Sequence, residues 1–226
     1  MLIQGQTGQT VGADGTNNNL RQGRTSELIV SQNHARYYET TSRGNMFSLT
    51  MTASVGGVAA GHLLTNTYQG TPLANQATQF AIWNPLGSGF NMSIHKVFVG
   101  IVSGTPPGGP VFHGAFANGN PTNPATFDAG RAAVNNLIGG RQTIMRYIST
   151  ATTGTTLTGA AAPSVVRPMN LQYSAAAYAS TAGSNMLDLV DGDIVIPPGY
   201  GYIPIWTTAG TSILNSYSVS WEEVPI

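Results

Sequence analysis

In Met46-Phe47-Ser48-Leu49-Thr50-Met51-Thr52-Ala53, apolar and hydroxyl side chains alternate from Phe47 onward. Successive side chains of an extended chain point to opposite faces. Phe47, Leu49, Met51 and Ala53 therefore share one face, and Ser48, Thr50 and Thr52 the other. The same period recurs near the C-terminus, where Tyr217, Val219 and Trp221 alternate with Ser216, Ser218 and Ser220. Both segments read as strands with one face in a core.

Working outward from these two, further strand candidates are Leu28–Ser31, Arg36–Thr40, Gln79–Trp83, Ser93–Val102, Gln142–Ser149, Ser164–Val166, Leu171–Tyr173, Asp193–Ile196 and Tyr202–Trp206. Turn signals separate them, among them Asn84-Pro85, Pro106-Pro107-Gly108-Gly109 and Pro197-Pro198-Gly199. Many short strands without helical crossovers predict an all-β fold, an antiparallel jelly-roll β-sandwich. One helix candidate exists: Asp128 as cap, Val134, Leu137 and Ile138 on one face, and Gly139-Gly140 as the stop. The small-residue stretches Gly159–Pro163 and Ser174–Gly183 read as loops.

Charge divides the chain unevenly. Residues 1–45 hold Asp14, Arg21, Arg24, Glu27, Arg36, Glu39 and Arg43, whereas residues 44–127 hold only Lys96. The first stretch is polar and Gly-rich with no hydrophobic period, and it reads as an extended N-terminal arm. The expected organisation is an arm over 1–45 and a jelly-roll domain over 46–226.

The 226 residues carry nine basic and nine acidic side chains, 8% of the sequence and a net charge of zero. A typical globular protein carries about 25%. Nucleic-acid binding needs surplus Lys and Arg against phosphate, so no nucleic-acid partner is expected. No apolar run is long enough to span a membrane as a helix, and no membrane partner is expected. Met1-Leu2-Ile3-Gln4-Gly5 lacks the basic and apolar regions of a signal peptide. The absence of cysteine removes disulfides, thiolate metal sites and Cys nucleophiles.

Catalytic and ligand-binding signals are sparse. His34, His62, His95 and His113 form no close pair and read as isolated residues on strands or loops. Asp188, Asp191 and Asp193 cluster and could supply oxygen ligands for calcium, but the EF-hand spacing is absent, and Asp191-Gly192 as a turn pair before a strand is the better reading. Glu222 and Glu223 are neighbours on a strand and point to opposite faces, which excludes a facing glycosidase pair. A surface or inter-subunit salt bridge with one of the eight arginines is the better reading. Gly87-Ser88-Gly89 lacks the strand-to-helix elbow of a hydrolase nucleophile, and no phosphate-binding glycine loop is present. Asn91-Met92-Ser93 matches a glycosylation acceptor by chance. The sequence predicts no enzyme, no metal and no cofactor.

Polar faces built from Ser, Thr, Asn and Gln leave few charges to protect strand edges. Closure or a partner must cover those edges, which predicts an oligomer with neutral subunit contacts.

Two family resemblances bear on function. Gly192-Asp193-Ile194-Val195-Ile196-Pro197-Pro198-Gly199 resembles the second cupin motif, but the chain continues Tyr200-Gly201-Tyr202-Ile203-Pro204 without the histidine ligand, and the first cupin motif is missing. The same segment, with Tyr202–Trp206, the turn Thr207–Thr211 and the ending Ser220-Trp221-Glu222-Glu223-Val224-Pro225, resembles the C-terminal half of jelly-roll capsid cement and decoration proteins of tailed bacteriophages. Glu27-Leu28-Ile29-Val30-Ser31, Arg36-Tyr37-Tyr38-Glu39, Arg43-Gly44-Asn45-Met46-Phe47 and Phe80-Ala81-Ile82-Trp83-Asn84-Pro85 have a similar character.

That resemblance implies a C1q- or tumour-necrosis-factor-like homotrimer on the outer capsid surface of the virion, made in the bacterial host cytoplasm and bound to the major capsid protein. On this reading Tyr217, Val219 and Trp221 supply the sandwich core or the three-fold contact. Arg21, Arg24, Arg36 and Arg43 of the arm are suited to pairing with carboxylates of the shell, or are ordinary solvated charges or intramolecular pairs. The alternative is a head-fibre or tail-associated adhesin for host glycan, with Tyr68, Phe90, Phe116 and Tyr200 as stacking surfaces.

Overall fold

The computed structural model describes residues 37–51, 62–63, 80–105, 109–118, 120, 123–127, 132–150, 156–173, 185–206 and 211–226. The chain divides into two units, Met1–Glu39 and Thr40–Ile226. The sequence reading placed that boundary at 45/46. Strand candidate Leu28–Ser31 and most of the expected arm lie outside the described residues.

One short helix, α1 (Tyr38–Ser42), precedes twelve strands among the described residues. They are β1 (Met46–Met51), β2 (His62–Leu63), β3 (Phe80–Trp83), β4 (Phe90–Thr105), β5 (Gly109–Ala117), β6 (Thr126–Phe127), β7 (Val134–Asn135), β8 (Arg146–Ser149), β9 (Ser164–Tyr173), β10 (Asn185–Ile196), β11 (Tyr200–Trp206) and β12 (Thr211–Pro225). The first sheet runs β10-β4-β12-β1-β7, and the second runs β6-β8-β3-β11-β5-β9, with β2 also paired to β11. The protein is all-β, as the alternation predicts.

The segments that opened the sequence reading lie side by side. Phe47 pairs with Trp221, Leu49 with Val219 and Met51 with Tyr217 in an antiparallel register. Phe47 and Trp221 stack at 5.9 Å. On the other face the Ser48 and Ser220 hydroxyls are 2.9 Å apart, as are those of Thr50 and Ser218. A period of two in both strands leaves this register favoured, because a one-residue slip would move every aromatic ring to solvent.

The main core fills the space between the sheets. Phe47, Leu49, Val97, Val99, Tyr217 and Trp221 from the first sheet meet Phe80, Ile82, Val111, Tyr147 and Tyr202 from the second. Phe80 stacks on Tyr217 across the gap at 5.3 Å. A second, smaller core lies on the opposite face of the second sheet, where Ala81, Trp83, Phe116, Ile148, Ile203 and Ile205 gather with Leu157 and Ala160 from the loop before β9. This explains why Phe80-Ala81-Ile82-Trp83 and Tyr202-Ile203-Pro204-Ile205 are continuous apolar runs: strands buried on both faces have no reason to alternate.

Four expectations differ from the structure. Arg36–Thr40 is not a strand; Tyr38–Ser42 turns as a helix. It ends at Gly44 (φ 70°) in a Schellman pair, with Gly44 N–H bonded to Thr41 O at 2.9 Å and Asn45 N–H to Thr40 O at 3.1 Å. The expected helix ending at Gly139-Gly140 is absent from the described residues 132–140, which hold β7 and a turn. Asn135 decides this: its side chain donates to Gly44 O at 2.8 Å and Arg141 O at 3.0 Å and accepts from Leu137 N–H at 2.9 Å. A side chain that caps its own turn competes with helix formation. Ser164–Val166 and Leu171–Tyr173 are one strand, β9, whose edge position tolerates Pro168. Asp191-Gly192 is not a turn before a strand. It is a bulge inside β10, where Asp191 takes φ 55° and Gly192 φ 88°.

The turn signals Asn84-Pro85 and Pro197-Pro198-Gly199 are fastened to each other. Asn84 N–H bonds to Tyr200 O at 2.8 Å, and Gly199 N–H bonds to Asn84 O at 2.9 Å. The buried Asn84 amide donates to Phe90 O and Ile196 O at 2.7 and 3.1 Å.

Candidate functional site

Three features carry the polar chemistry and the exposed apolar surface of the described body. The first links the sheets. His113 on β5 places Nε2 2.6 Å from Asp188 Oδ2 on β10, and its Nδ1 lies 2.9 Å from the Tyr202 hydroxyl on β11. A carboxylate only accepts, so Nε2 carries the proton and Nδ1 accepts from Tyr202. Arg167 on β9 adds a 3.2 Å bond to Asp188 and a 3.5 Å contact to Asp193. Burial pushes the His113 imidazole below its ordinary 6.5, aided by the charge of Arg167 and opposed by the bond to Asp188. Burial, reinforced by the Asp188 charge, raises Tyr202 well above its ordinary 10.0.

Hydroxyl, imidazole and carboxylate thus stand in the order of a nucleophilic triad. Tyr202 and His113 are nevertheless fully buried, and the phenol is held protonated, so the arrangement acts as a polar clasp between sheets. Sequence reading missed it because its members lie on β5, β9, β10 and β11. The available signal was Asp188 itself, the one carboxylate in phase with the inward Met186 and Val190.

The second feature is Glu223, buried on the inner face of β12. It accepts from Arg141 at 2.6 Å, from the Thr143 hydroxyl and from Ile144 N–H at 3.0 Å. The Arg141 guanidinium also lies 4.9 Å from the Phe47 ring centre and 5.4 Å from that of Phe90. The Glu–Arg pair expected at the surface or between subunits lies within the protomer, with the Glu223 carboxylate buried and the Arg141 side chain reaching the surface. Glu222 points the other way, 3.4 Å from His95 Nε2.

The third feature is the outer face of the first sheet. Register sets Leu187 beside Phe98, Ser218 and Thr50 in one row, and Leu189 beside Lys96, Ser220 and Ser48 in the next. Leu187 is 58% and Leu189 54% exposed. Across these two rows Lys96 is the only ionisable side chain, so the face is apolar at β10 and hydroxyl-rich towards β1.

The residues singled out from sequence are dispersed. Arg21, Arg24 and Arg36 lie outside the described residues, as does Tyr68. Arg43 is exposed in the turn after α1, within the Thr40–Ile226 unit. Tyr217, Val219 and Trp221 are buried in the main core. Phe116 is unavailable for stacking because its ring lies over Gly201, and Phe90 packs against the main core beneath Arg141. Tyr200 is about half exposed. Asp188, Asp191 and Asp193 do not converge, and among the described residues no three His, Asp or Glu side chains come together. Asp188 is turned inward by the strand while Asp191 and Asp193 face out.

No family model, no curated protein and no solved structure matches the chain.

Proposed function

We propose that this chain is a virion structural protein that self-associates as a homotrimer and cements or decorates the capsid of a tailed bacteriophage by binding its major capsid protein. The outer face of the first sheet carries this reading. Leu187 and Leu189 stand exposed beside Phe98 and two rows of hydroxyls, rows in which Lys96 is the single charge, while Asp191, Asp193 and Glu222 lie further along the same sheet. Burying these two rows against another copy removes apolar area from water and strands one charge, that of Lys96. A neutral chain also lacks the self-repulsion that keeps proteins apart.

The finer fold assignment is a jelly roll. With β2, β6, β7 and β8 set aside, the chain visits the sheets in the order β1, β3, β4, β5, β9, β10, β11, β12. Every step but β5 to β9 crosses from one sheet to the other. That alternation supports two nested Greek keys. No catalytic role is proposed, and the virion surface is the proposed location. The arm, with Arg21, Arg24 and Arg36, is the proposed grip on the shell. Co-sedimentation with capsids of the phage that encodes the chain tests this. The full chain is expected to pellet with capsids, and a chain lacking residues 1–24 to fold but remain in the supernatant. Failure of the full chain to pellet overturns the reading.

A further inference from the structure

The outer face of the first sheet is apolar at a second place. The row that begins at Leu189 continues through Lys96, Ser220 and Ser48 to Val134 on β7, the strand at the opposite edge of the sheet. Residues directly opposite in a ladder share a face. Asn135 takes the inner side opposite Phe47, so Val134 points outward with Leu189. The row is therefore apolar at both ends and polar in the middle. Its ends lie four strand spacings apart, about 19 Å.

Val134 is not alone at its edge. Leu137 and Ile138 follow in a turn closed by Gly140 N–H to Leu137 O at 2.8 Å, and both are exposed, Ile138 to 87%. Ile138 is the first corner of that turn and Gly139, at φ 82°, the second. Hydrogen bonds fix the turn to the body. Asn136 N–H reaches Met46 O at 2.9 Å, and the buried Asn135 side chain bonds to Gly44 O, Arg141 O and Leu137 N–H. Residues 132–140 carry no charge. Exposed aliphatic side chains are ordinary when scattered singly, but three within five residues on a fixed turn form a patch.

A two-fold contact can use one patch twice, because both copies present the same surface. A three-fold ring cannot: each copy offers one surface and receives its neighbour on a different one. Leu187 and Leu189 on β10 and the Val134 patch on β7 stand at opposite edges of one sheet, and both are neutral. We infer that, given the self-association proposed above, the homotrimer closes head to tail, with Leu187 and Leu189 of one copy seated against Val134, Leu137 and Ile138 of the next. Contact between the two patches removes apolar area from water on both sides. A charged partner would lose hydration against either patch and meet no counter-charge there.

Sedimentation velocity of three full-length chains and one mixture tests the contact. Leu187→Asp with Leu189→Asp spoils the β10 patch and keeps the β7 patch. Val134→Asp with Ile138→Asp does the reverse. The parent is expected to sediment as a trimer, and each variant alone as a monomer of about 23.6 kDa. An equimolar mixture of the two variants is expected to give a species of twice that mass. In it the intact β7 patch of one variant meets the intact β10 patch of the other, and no further contact can form. Should the Val134 and Ile138 double variant melt lower than the parent, Ile138→Asp alone repeats the test on a side chain almost wholly exposed. A parent that stays monomeric defeats self-association itself. A trimeric parent whose β7 variant also trimerises, or whose mixed variants stay monomeric, overturns the head-to-tail contact and leaves self-association standing.

Discussion

His113 and Asp188 join the two sheets through a 2.6 Å hydrogen bond between β5 and β10, with neither side chain more than slightly exposed. The imidazole is held neutral by burial, and Tyr202 and Arg167 complete its surroundings. A core built mainly from aliphatic and aromatic groups is thus pinned between β5 and β10 by a directional polar contact.

The pH dependence of stability follows from that contact. His113 titrates below 6.5 in the folded chain and near 6.5 when unfolded, so between those values the unfolded chain binds a proton that the folded chain does not. Its contribution is complete above 6.5 and is lost as pH falls through the lowered value. The melting temperature is expected to drop on acidification from about pH 7.5 to about pH 5, and His113→Gln to flatten that part of the profile. At pH 7.5 the same substitution is expected to cost about 1–3 kcal/mol through poorer satisfaction of Asp188 and Tyr202. Thermal melts followed by circular dichroism at several pH values check both. An unchanged slope in the variant would sink the assignment.

Glu223 holds Arg141, Thr143 and Ile144 together from a fully buried position. Glu223→Gln keeps the shape but leaves the Arg141 guanidinium without its counter-charge, at an expected cost of about 2–3 kcal/mol, and Glu223→Ala costs more. Denaturant midpoints measure this. A midpoint equal to the parent's would show that the pair contributes nothing.

Gly201 sits opposite Phe116 in the β11–β5 ladder, and a methyl group added there would come within 2.2 Å of the phenyl ring. Gly201→Ala is expected to push the ring off the sheet and to destabilise by about 1–3 kcal/mol. The companion change Phe116→Leu, which frees that space, is expected to recover part of the loss. Additive losses in the double-mutant cycle would contradict direct packing.

Leu187→Asp with Leu189→Asp places two charges on the outer face of the first sheet while leaving its inner face untouched. The parent chain is expected to sediment as a trimer, and the double variant as a monomer of about 23.6 kDa with the same circular dichroism spectrum. A parent that sediments as a monomer at every concentration would defeat the self-association reading.

Strand identity was legible wherever one face is buried and the other carries polar side chains. The alternation in Phe47–Met51 and Tyr217–Trp221 names the inner residues correctly, because a period of two admits one side per residue. Signals weakened where that condition fails. On β10, Leu187 and Leu189 point outward between inward Met186, Asp188 and Val190, so both faces look apolar and the strand hides. Near residue 135 the spacing of Val134, Leu137 and Ile138 imitates a helix, yet these side chains are exposed and the Asn135 hydrogen bonds shape the turn.

By itself the sequence determined an all-β chain, the inner faces of its first and last strands, and a surface nearly without charge. These follow from local periodicity and composition, which any conformation must respect. Only the tertiary structure decided that His113 meets Asp188 and Tyr202, that Glu223 draws in Arg141, and that Phe127 leans on Tyr147 beside an open groove. Each of those pairings joins residues distant in sequence or on separate strands. Their contact energies depend on which strands lie side by side, and hydrophobic periodicity within one strand carries no information about its neighbour.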